Sequence, residues 1–149
     1  LEIGPGLGVT TRALDERVAR LTALEVEEEY VTRLRRELDV EIVHGDAAAM
    51  PFPDAAFSAV ACFTMLHHVP TPELQDRVFA EVCRVLRPGG VFAGSDGRVN
   101  LRFRLIHLGD TLVPVDPATL PARLEAAGFA DVKVSLAPRR VHFTARRPA

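Results

Sequence analysis

The glycine-rich stretch Leu1–Gly8 restricts the fold of this chain more than any other part of it. Leu1-Glu2-Ile3 is typical of the end of a buried strand, and three glycines follow it at alternate positions. Apolar residues at helical spacing then predict a helix over residues 10–20. Because glycine has no side chain, a strand, a glycine turn and a helix N-terminus in succession bring bare backbone close to a ligand. The stretch therefore predicts an α/β domain with a ligand-binding turn after its first strand.

The spacing of these glycines separates two kinds of ligand. A dinucleotide-binding turn reads G-x-G-x-x-G and would need its third glycine where Val9 stands. The third glycine comes one residue earlier, and the charge of Glu2 would repel a pyrophosphate. The pattern E-x-G-x-G-x-G resembles motif I of the class I S-adenosylmethionine (SAM) dependent methyltransferases, whose ligand carries an ammonium, a sulfonium and no phosphate. This resemblance implies cofactor contacts by Glu2, Gly4, Pro5, Gly6 and Gly8. A purely structural glycine turn in another α/β domain is the alternative.

Composition and charge fit one globular domain over residues 1–149, with 48% hydrophobic residues. The net charge of −2 gives no electrostatic case for a nucleic-acid partner. The pairs Arg139-Arg140 and Arg146-Arg147 are the local basic bias, and we interpret them as solvated charges at strand ends. Cys62 and Cys83 have no zinc-site spacing and lie in apolar runs, which predicts buried thiols and no metal site. Without a signal peptide or a membrane-length apolar run, the expected location is cytoplasmic.

The first predicted strand is unusually short, because the chain begins inside the glycine motif. Methyltransferases of this class usually carry a preceding helical segment that helps to cover the substrate. We therefore expect either an N-terminally truncated chain or one that lacks this cover, and the sequence does not decide between them.

The second apolar run, residues 21–26, contains the candidate for binding a sugar. Glu25 stands near its end, about twenty residues after the glycine turn, where nucleoside-binding α/β folds place an acid that takes both ribose hydroxyls. A carboxylate has two acceptor oxygens, so it suits a cis-diol. We assign Glu25 and the adjacent Val26 to the cofactor, and the acids that follow are expected to open the next helix.

The third predicted strand, residues 40–44, leads into a second motif. The segment HGDAAAMPFPDAAFSAV resembles G-D-A-x-x-L-P-F-x-D-x-x-F-D of small-molecule methyltransferases. The resemblance implies that Asp46 accepts a hydrogen bond from the adenine amino group and that the Ala47 N–H meets the ring. A simple turn residue is the alternative for Asp46. Ser58 departs from the acid that is usual in the family, at a position that we interpret as structural.

A fourth strand, Phe57–Phe63, runs into the segment Thr64-Met65-Leu66-His67-His68. Ligands of open α/β sheets lie beyond the carboxyl ends of the strands, so this segment is expected at the lip of the active site. We assign Phe63 to the cofactor, and Met65 and His67 to the substrate side. His67 and His68 are adjacent and diverge, which excludes a metal pair. One of them either packs against the cofactor or a loop carbonyl, or acts as a general base.

The remaining sequence completes the fold class. Thr71-Pro72-Glu73 predicts a helix start, and the L-x-P-G-G motif of Leu86–Gly90 precedes a fifth strand, Val91–Gly94. Residues 95–115 resemble the family least. A helix over 99–108 is expected there, with Asp96, Phe103 and His107 on the substrate side. A helix from Asp116 to Gly128 and strands over 132–136 and 141–145 follow. The predicted fold is one Rossmann-like, mostly parallel seven-stranded sheet in the order 3-2-1-4-5-7-6, with an antiparallel last strand and flanking helices.

The predicted function is transfer of a methyl group from SAM to a small-molecule acceptor. Because the sulfonium is already a good leaving group, alignment of the reactants can suffice, and no catalytic constellation is required. A hydroxyl acceptor would benefit from a base, for which His67, His68 and His107 are candidates. The acceptor atom and the oligomeric state stay open.

Three other functions are weighed against this one. An rRNA adenine dimethylase would share the glycine motif, but the residues Cys62-Phe63-Thr64-Met65 stand where that family has N-[LI]-P-[YF]. A SAM-binding module without activity would fit a missing N-terminal cover. An NAD-dependent Rossmann enzyme is disfavoured by Val9 and by the predicted final hairpin.

Overall fold

The computed structural model describes residues 1–98 and 112–149. Seven strands belong to these residues: β1 (Glu2–Ile3), β2 (Thr22–Glu25), β3 (Glu41–His44), β4 (Phe57–Phe63), β5 (Leu86–Gly97), β6 (Ala130–Leu136) and β7 (Arg140–Arg146). The helices among them are α1 (Val9–Asp15), α2 (Glu28–Glu37), α3 (Pro72–Val85) and α4 (Leu120–Ala126), with a short 3₁₀ helix at Leu66–His68. The helix expected over 99–108, and with it Phe103 and His107, lies outside the described residues.

The strands form a single sheet in the order β3-β2-β1-β4-β5-β7-β6, which confirms the predicted order. Neighbours from β3 to β5 pair in parallel, whereas β7 pairs antiparallel to both β5 and β6. The short strand β1 lies between β2 and β4, with Ile3 opposite Leu24 on one side and Cys62 on the other. The carboxyl ends of β1 to β4 therefore lie side by side at one edge of the sheet.

The main core packs α3 and α4 against β4, β5 and β7. Phe92 of β5 lies at its centre, with ring centroids 6.3 Å from Phe79, 5.7 Å from Phe129 and 5.0 Å from Phe143. The predicted start of α3 is confirmed, because the Thr71 hydroxyl accepts a hydrogen bond from the Leu74 N–H at 3.2 Å. A smaller apolar cluster packs α2 against β2 and β3. Within the two described ranges, no helix has the length and apolarity needed to cross a membrane.

Cys62 is fully inside the main core, as the sequence predicted. Burial raises the pKa of its thiol well above the ordinary value, and the nearby Asp96 and Glu2 carboxylates add to the rise. The thiol therefore stays protonated and behaves as a small apolar side chain. Cys83 is half-buried and unpaired with Cys62.

Three elements, α1, α4 and β5, differ from the predicted bounds by four residues or more at one end. The helix α1 ends at Asp15 rather than at residue 20, and its buried side carries Thr11 while Val9 is 74% exposed. The apolar spacing that predicted a longer helix was misleading, because this valine lies on the protein surface and not in the core. The helix α4 begins at Leu120, since the Asp116 carboxylate accepts the Ala118 N–H in a turn that precedes it.

The strand β5 is longer than predicted, because it begins at Leu86 within the L-x-P-G-G motif. Leu86 lies opposite Phe57, and regular pairing with β4 resumes only at Val91 after an irregularity. Gly89 has a φ of 74°, which a residue with a side chain rarely adopts, so the glycine permits this local bend inside the strand.

Candidate cofactor and acceptor site

A cavity of about 800 Å³ opens at the carboxyl ends of β1 to β4. We call one side of it the cofactor side, formed by Gly4, Gly6, Glu25, Val26, Asp46 and Ala47, and the other the acceptor side, formed by Thr64, Met65 and His68. Leu7 and Val26 face this space with 51% and 56% of their surface exposed, which provides apolar walls for a ligand.

The glycine turn keeps the backbone open toward the cavity. Gly6 has a φ of 53°, and a side chain built on it would meet nothing within 4 Å, so its backbone faces open space. Gly4 has a different role, because a Cβ there would lie 2.2 Å from the Cγ of Met65. Its lack of a side chain lets the acceptor-side residue Met65 approach the turn. The two glycines therefore leave room for a ligand and for a neighbouring loop, respectively.

Glu25 connects the glycine turn to the end of β2. Its Oε2 accepts the Gly6 N–H at 3.0 Å, and its Oε1 accepts the N–H groups of Val26 at 2.9 Å and Glu27 at 3.0 Å. The residue is only 5% exposed, yet it lines the cavity. A carboxylate has about four lone-pair sites, so this one keeps capacity for a ligand hydroxyl. Glu25 is thus fixed in place before any ligand arrives.

Asp46 reaches the cavity from the loop after β3. Its Oδ1 accepts the Ala48 N–H at 2.8 Å, and its carbonyl accepts the Ala49 N–H at 3.1 Å. This turn orients the side chain and presents Ala47 beside it on the cavity wall. The turn interpretation and the ligand interpretation of Asp46 are therefore compatible, because one oxygen makes the turn while the residue lines the cavity.

A pair of residues on α3 holds the rest of this loop, and no sequence pattern predicted it. The Arg84 guanidinium donates to Glu81 at 2.7 and 2.8 Å, to the Asp54 carboxylate at 2.8 Å and to the Phe52 carbonyl at 2.8 Å. Glu81 accepts the Met50 N–H at 2.7 Å. The hydrogen bonds from Arg84 lower the pKa of the Glu81 carboxyl. The pair holds the loop that connects Asp46 to β4.

Four residues assigned to the cofactor do not line the cavity. Glu2 is 1% exposed; its Oε1 accepts the Thr10 hydroxyl, and its Oε2 has no hydrogen-bond partner among the described residues. Pro5, Gly8 and Phe63 do not line the cavity either. The direct contacts assigned to these four residues stay predictions, while the other predicted cofactor residues lie together on the cofactor side.

His67 and Asp96 do not line the cavity, contrary to their assignment as substrate-side residues, because both are buried, at 1% and 0% exposure. They instead form a pair: the His67 Nδ1 lies 2.5 Å from the Asp96 Oδ1, and the His67 backbone N–H donates to Oδ2 at 3.1 Å. The Gly97 N–H donates to Oδ1 at 2.5 Å. The rings of His67 and His68 have centroids 4.1 Å apart, so the pair contacts a residue that does line the cavity.

Thr64 at the start of the acceptor side has an unusual backbone. Its φ is 57°, a left-handed conformation that is costly for a β-branched residue. Its N–H donates to the Ser95 carbonyl at 2.7 Å, and its hydroxyl accepts from the Arg140 guanidinium at 3.2 Å. Strain of this kind concentrates at functional sites. No sequence pattern indicated it.

The model of the family described as "Methyltransferase domain" matches residues 1–94. The chain belongs to the class I SAM-dependent methyltransferases. The cofactor is therefore SAM, as the motifs predicted, and the seven-stranded sheet order is the one expected for the family. In the described part of the chain, no three metal-ligating side chains come together.

Three relatives show how far the sequence similarity extends along the chain. A probable SAM-dependent methyltransferase of Mycolicibacterium smegmatis is 33% identical over 87% of this chain and 51% of its own length. A fatty-acid O-methyltransferase of the same organism is 38% identical over 64% of the chain and 35% of its own length. A probable ribosomal RNA small subunit methyltransferase A of Thermococcus onnurineus is 47% identical over only 36% of the chain and 21% of its own length.

A SAM-dependent methyltransferase from Mesorhizobium loti has the same fold with a TM-score of 0.79, at 18% identity, covering 98% of this chain and 89% of the other. The chain thus spans about half or less of the length of the three curated relatives.

Proposed function

We propose that this domain transfers a methyl group from SAM to a small-molecule acceptor. The observation that carries the proposal is that Gly6, Glu25 and Asp46, at the carboxyl ends of three different strands, line one cavity. The relatives named for fatty-acid O-methylation and SAM-dependent methylation support a small acceptor. The cavity volume of about 800 Å³ is within the range of small-molecule sites.

The described residues fit the cofactor in three respects. The open backbone at Gly6 accommodates the amino-acid tail, and the fixed carboxylate of Glu25 suits the ribose diol. Asp46 and the Ala47 N–H suit the amino group and the ring of adenine. The buried, unpaired Oε2 of Glu2 adds a negative charge that complements a cationic ligand. SAM itself supplies an activated methyl group on a sulfonium that leaves as a neutral thioether.

We propose that His68, which lines the cavity, takes the proton of a hydroxyl acceptor and that the buried His67–Asp96 pair positions the His68 ring. The Asp96 carboxylate at Nδ1 orients the His67 imidazole. The ring centroids of His67 and His68 are 4.1 Å apart, so an oriented His67 restricts where the His68 ring can lie. An acceptor that is already nucleophilic would need only the alignment that the cavity imposes.

Calorimetric titration with S-adenosylhomocysteine (SAH), followed by transfer of a labelled methyl group to hydroxyl, carboxyl and amine compounds, tests the proposal. We expect one SAH bound per chain and turnover with at least one class of compound. Binding without turnover would favour a module that only binds SAM. Binding of NADH without SAH would contradict the proposal outright.

Methylation of ribosomal RNA is the second candidate, since the archaeal RNA methyltransferase matches the chain over 57 residues. That match covers a small part of the chain, and Cys62-Phe63-Thr64-Met65 replaces the base-gripping motif of that family. Label transferred to an unmodified small-subunit RNA, and to none of the small compounds, would favour this candidate.

A further inference from the structure

The described lining of the cavity carries several negative charges and no lysine or arginine. Four of its described lining residues are acids, namely Glu25, Glu27, Glu29 and Asp46, and none is a lysine or arginine. This arrangement suits a cofactor that carries a sulfonium and an ammonium. Among the described residues, a guanidinium from the beginning of β7 reaches the acceptor side from outside the lining.

Arg140 provides this guanidinium, and it is directed at the acceptor side by two neutral groups. It lies opposite Gly97 in the pairing of β7 with β5. Its Nη1 donates to the Thr64 hydroxyl at 3.2 Å and approaches the Ser95 hydroxyl at 3.4 Å. Thr64 lines the cavity and Arg140 is exposed, so the guanidinium lies in solvent next to the acceptor side. Hydroxyl oxygens orient a guanidinium without neutralising it, because they carry no charge.

Within the two described ranges, Arg140 has no carboxylate partner. Arg12, Arg84 and Arg123, by contrast, each form an ion pair at 3.0 Å or less. Two more arginines adjoin Arg140, since the Arg98 N–H donates to the Arg139 carbonyl at 3.0 Å. Neither of these forms an ion pair with a described carboxylate, and the Arg98 side chain donates to a carbonyl at the β6–β7 turn. Among the residues that the structure describes, the positive charges of these arginines therefore have no carboxylate paired with them at this end of the sheet.

We propose that Arg140 recognises an oxyanion, a carboxylate or a phosphate, on the methyl acceptor. This inference rests on the proposed function and names the chemical class of its acceptor. A guanidinium has five N–H donors in a planar fork that matches both anions, and the Nη1 contacts leave the other nitrogens available for them. The same attraction guides an anion past the acidic lining toward the acceptor side. Arg140 thus has a binding role in place of the solvated charge that was predicted for the pair Arg139-Arg140.

Arg146 provides a matched control on the same strand. It is exposed and points from the same face as Arg140, six residues further along β7, and it lies opposite Val91 at the other end of the pairing between β5 and β7. Its guanidinium donates only to the Gly89 carbonyl among the described residues. Loss of this charge removes one arginine from the strand without changing the acceptor side.

The test uses SAH-loaded protein and three matched phenols: 4-hydroxybenzoate, 4-hydroxyphenyl phosphate and the neutral 4-hydroxybenzamide. A second set, laurate and lauramide, probes aliphatic acceptors. We expect one or both anions to bind at least about tenfold more tightly than the amide of the same set, as a charge-assisted pair implies. Preference between carboxylate and phosphate identifies the source of the oxyanion.

Arg140→Gln should reduce the preference for the anion to less than about threefold, while Arg140→Lys retains part of it and Arg146→Gln retains all of it. Equal binding of amides and anions, no anion binding at millimolar concentration, or an equal loss in Arg146→Gln would overturn the assignment. Circular dichroism and SAH affinity accompany each variant. If SAH still binds, such a result contradicts only the assignment of Arg140 to the acceptor. Absence of SAH binding in the wild type would refute the proposed function itself.

Discussion

The cofactor side and the acceptor side of the cavity are built from different kinds of contact. The cofactor side uses backbone N–H groups and two carboxylates, and Glu25 accepts hydrogen bonds from the N–H groups of Gly6, Val26 and Glu27. The acceptor side depends on side chains from distant parts of the chain: His67 and Asp96 are 29 residues apart, and Thr64 and Arg140 are 76 apart. Backbone groups suit a ligand that every family member binds, and side chains suit one that differs between members.

The largest expected effect tests the cofactor side. Glu25→Ala removes the charged acceptor of a ribose hydroxyl, worth about 1.5–3 kcal/mol, and also the acceptor that holds the Gly6 N–H of the glycine turn, so SAH should bind at least about 100-fold more weakly. Calorimetry measures the affinity, and Glu29→Ala is the control because this exposed lining residue makes no bond to the glycine turn. An unchanged SAH affinity in a folded Glu25→Ala protein would refute the ribose assignment.

The second effect concerns the acceptor side alone. Asp96→Asn keeps the shape of the carboxylate but removes the charge that orients the His67 ring against His68. With a hydroxyl acceptor we expect kcat to fall by about 100-fold, at the low end for general-base catalysis, with SAH affinity unchanged. The pH dependence of kcat should change as well. Equal losses in SAH affinity and kcat would show that the pair maintains the shape of the whole cavity instead.

A smaller effect tests how the loop after β3 is held. The pKa of Glu81 is lowered in the folded protein by hydrogen bonds from Arg84, so its contribution to stability is complete above the ordinary value of 4.5 and is lost as the pH falls below it. Because solvent reaches part of this pair, Glu81→Gln should lower the free energy of unfolding at pH 7 by about 1 kcal/mol.

Urea unfolding of both proteins between pH 7 and pH 3 checks this prediction. The difference between wild type and Glu81→Gln should shrink toward the acid end, where the wild-type carboxyl becomes protonated. A difference that stays constant with pH would mean that Glu81 acts by shape and not by charge.

The smallest effect concerns strain on the acceptor side. Asparagine tolerates the left-handed conformation better than threonine, so Thr64→Asn should raise the free energy of unfolding by about 0.5–1 kcal/mol. Thr144→Asn, at an exposed position of β7, should instead lower it slightly, since asparagine is a poor strand residue. Equal changes in the two variants would show that Thr64 stores no strain.

The difference between the cofactor side and the acceptor side also explains which features could be predicted from sequence. The sheet order, the cofactor and the placement of Glu25 and Asp46 follow from local motifs, because each motif contains both the turn and the residues that the turn orients. The His67–Asp96 pair was missed as a pair, although both residues were named, since no local spacing relates them. The Glu81–Arg84 clamp and the strain at Thr64 depend on tertiary contacts and leave no pattern. The predicted end of α1 was wrong because exposed valines have the same spacing as the residues of an apolar helix face.

The position of β7 has a consequence for how the protein forms during synthesis. All strands around the cofactor side, β1 to β4, leave the ribosome before β6, which pairs only with β7 among the described strands. The strand β6 must therefore wait, unpaired, until residues 140–146 emerge and insert between it and β5. A nascent chain interrupted just before Arg140 would expose the edges of β5 and β6 together, which makes this interval the one at which chaperone binding would matter most.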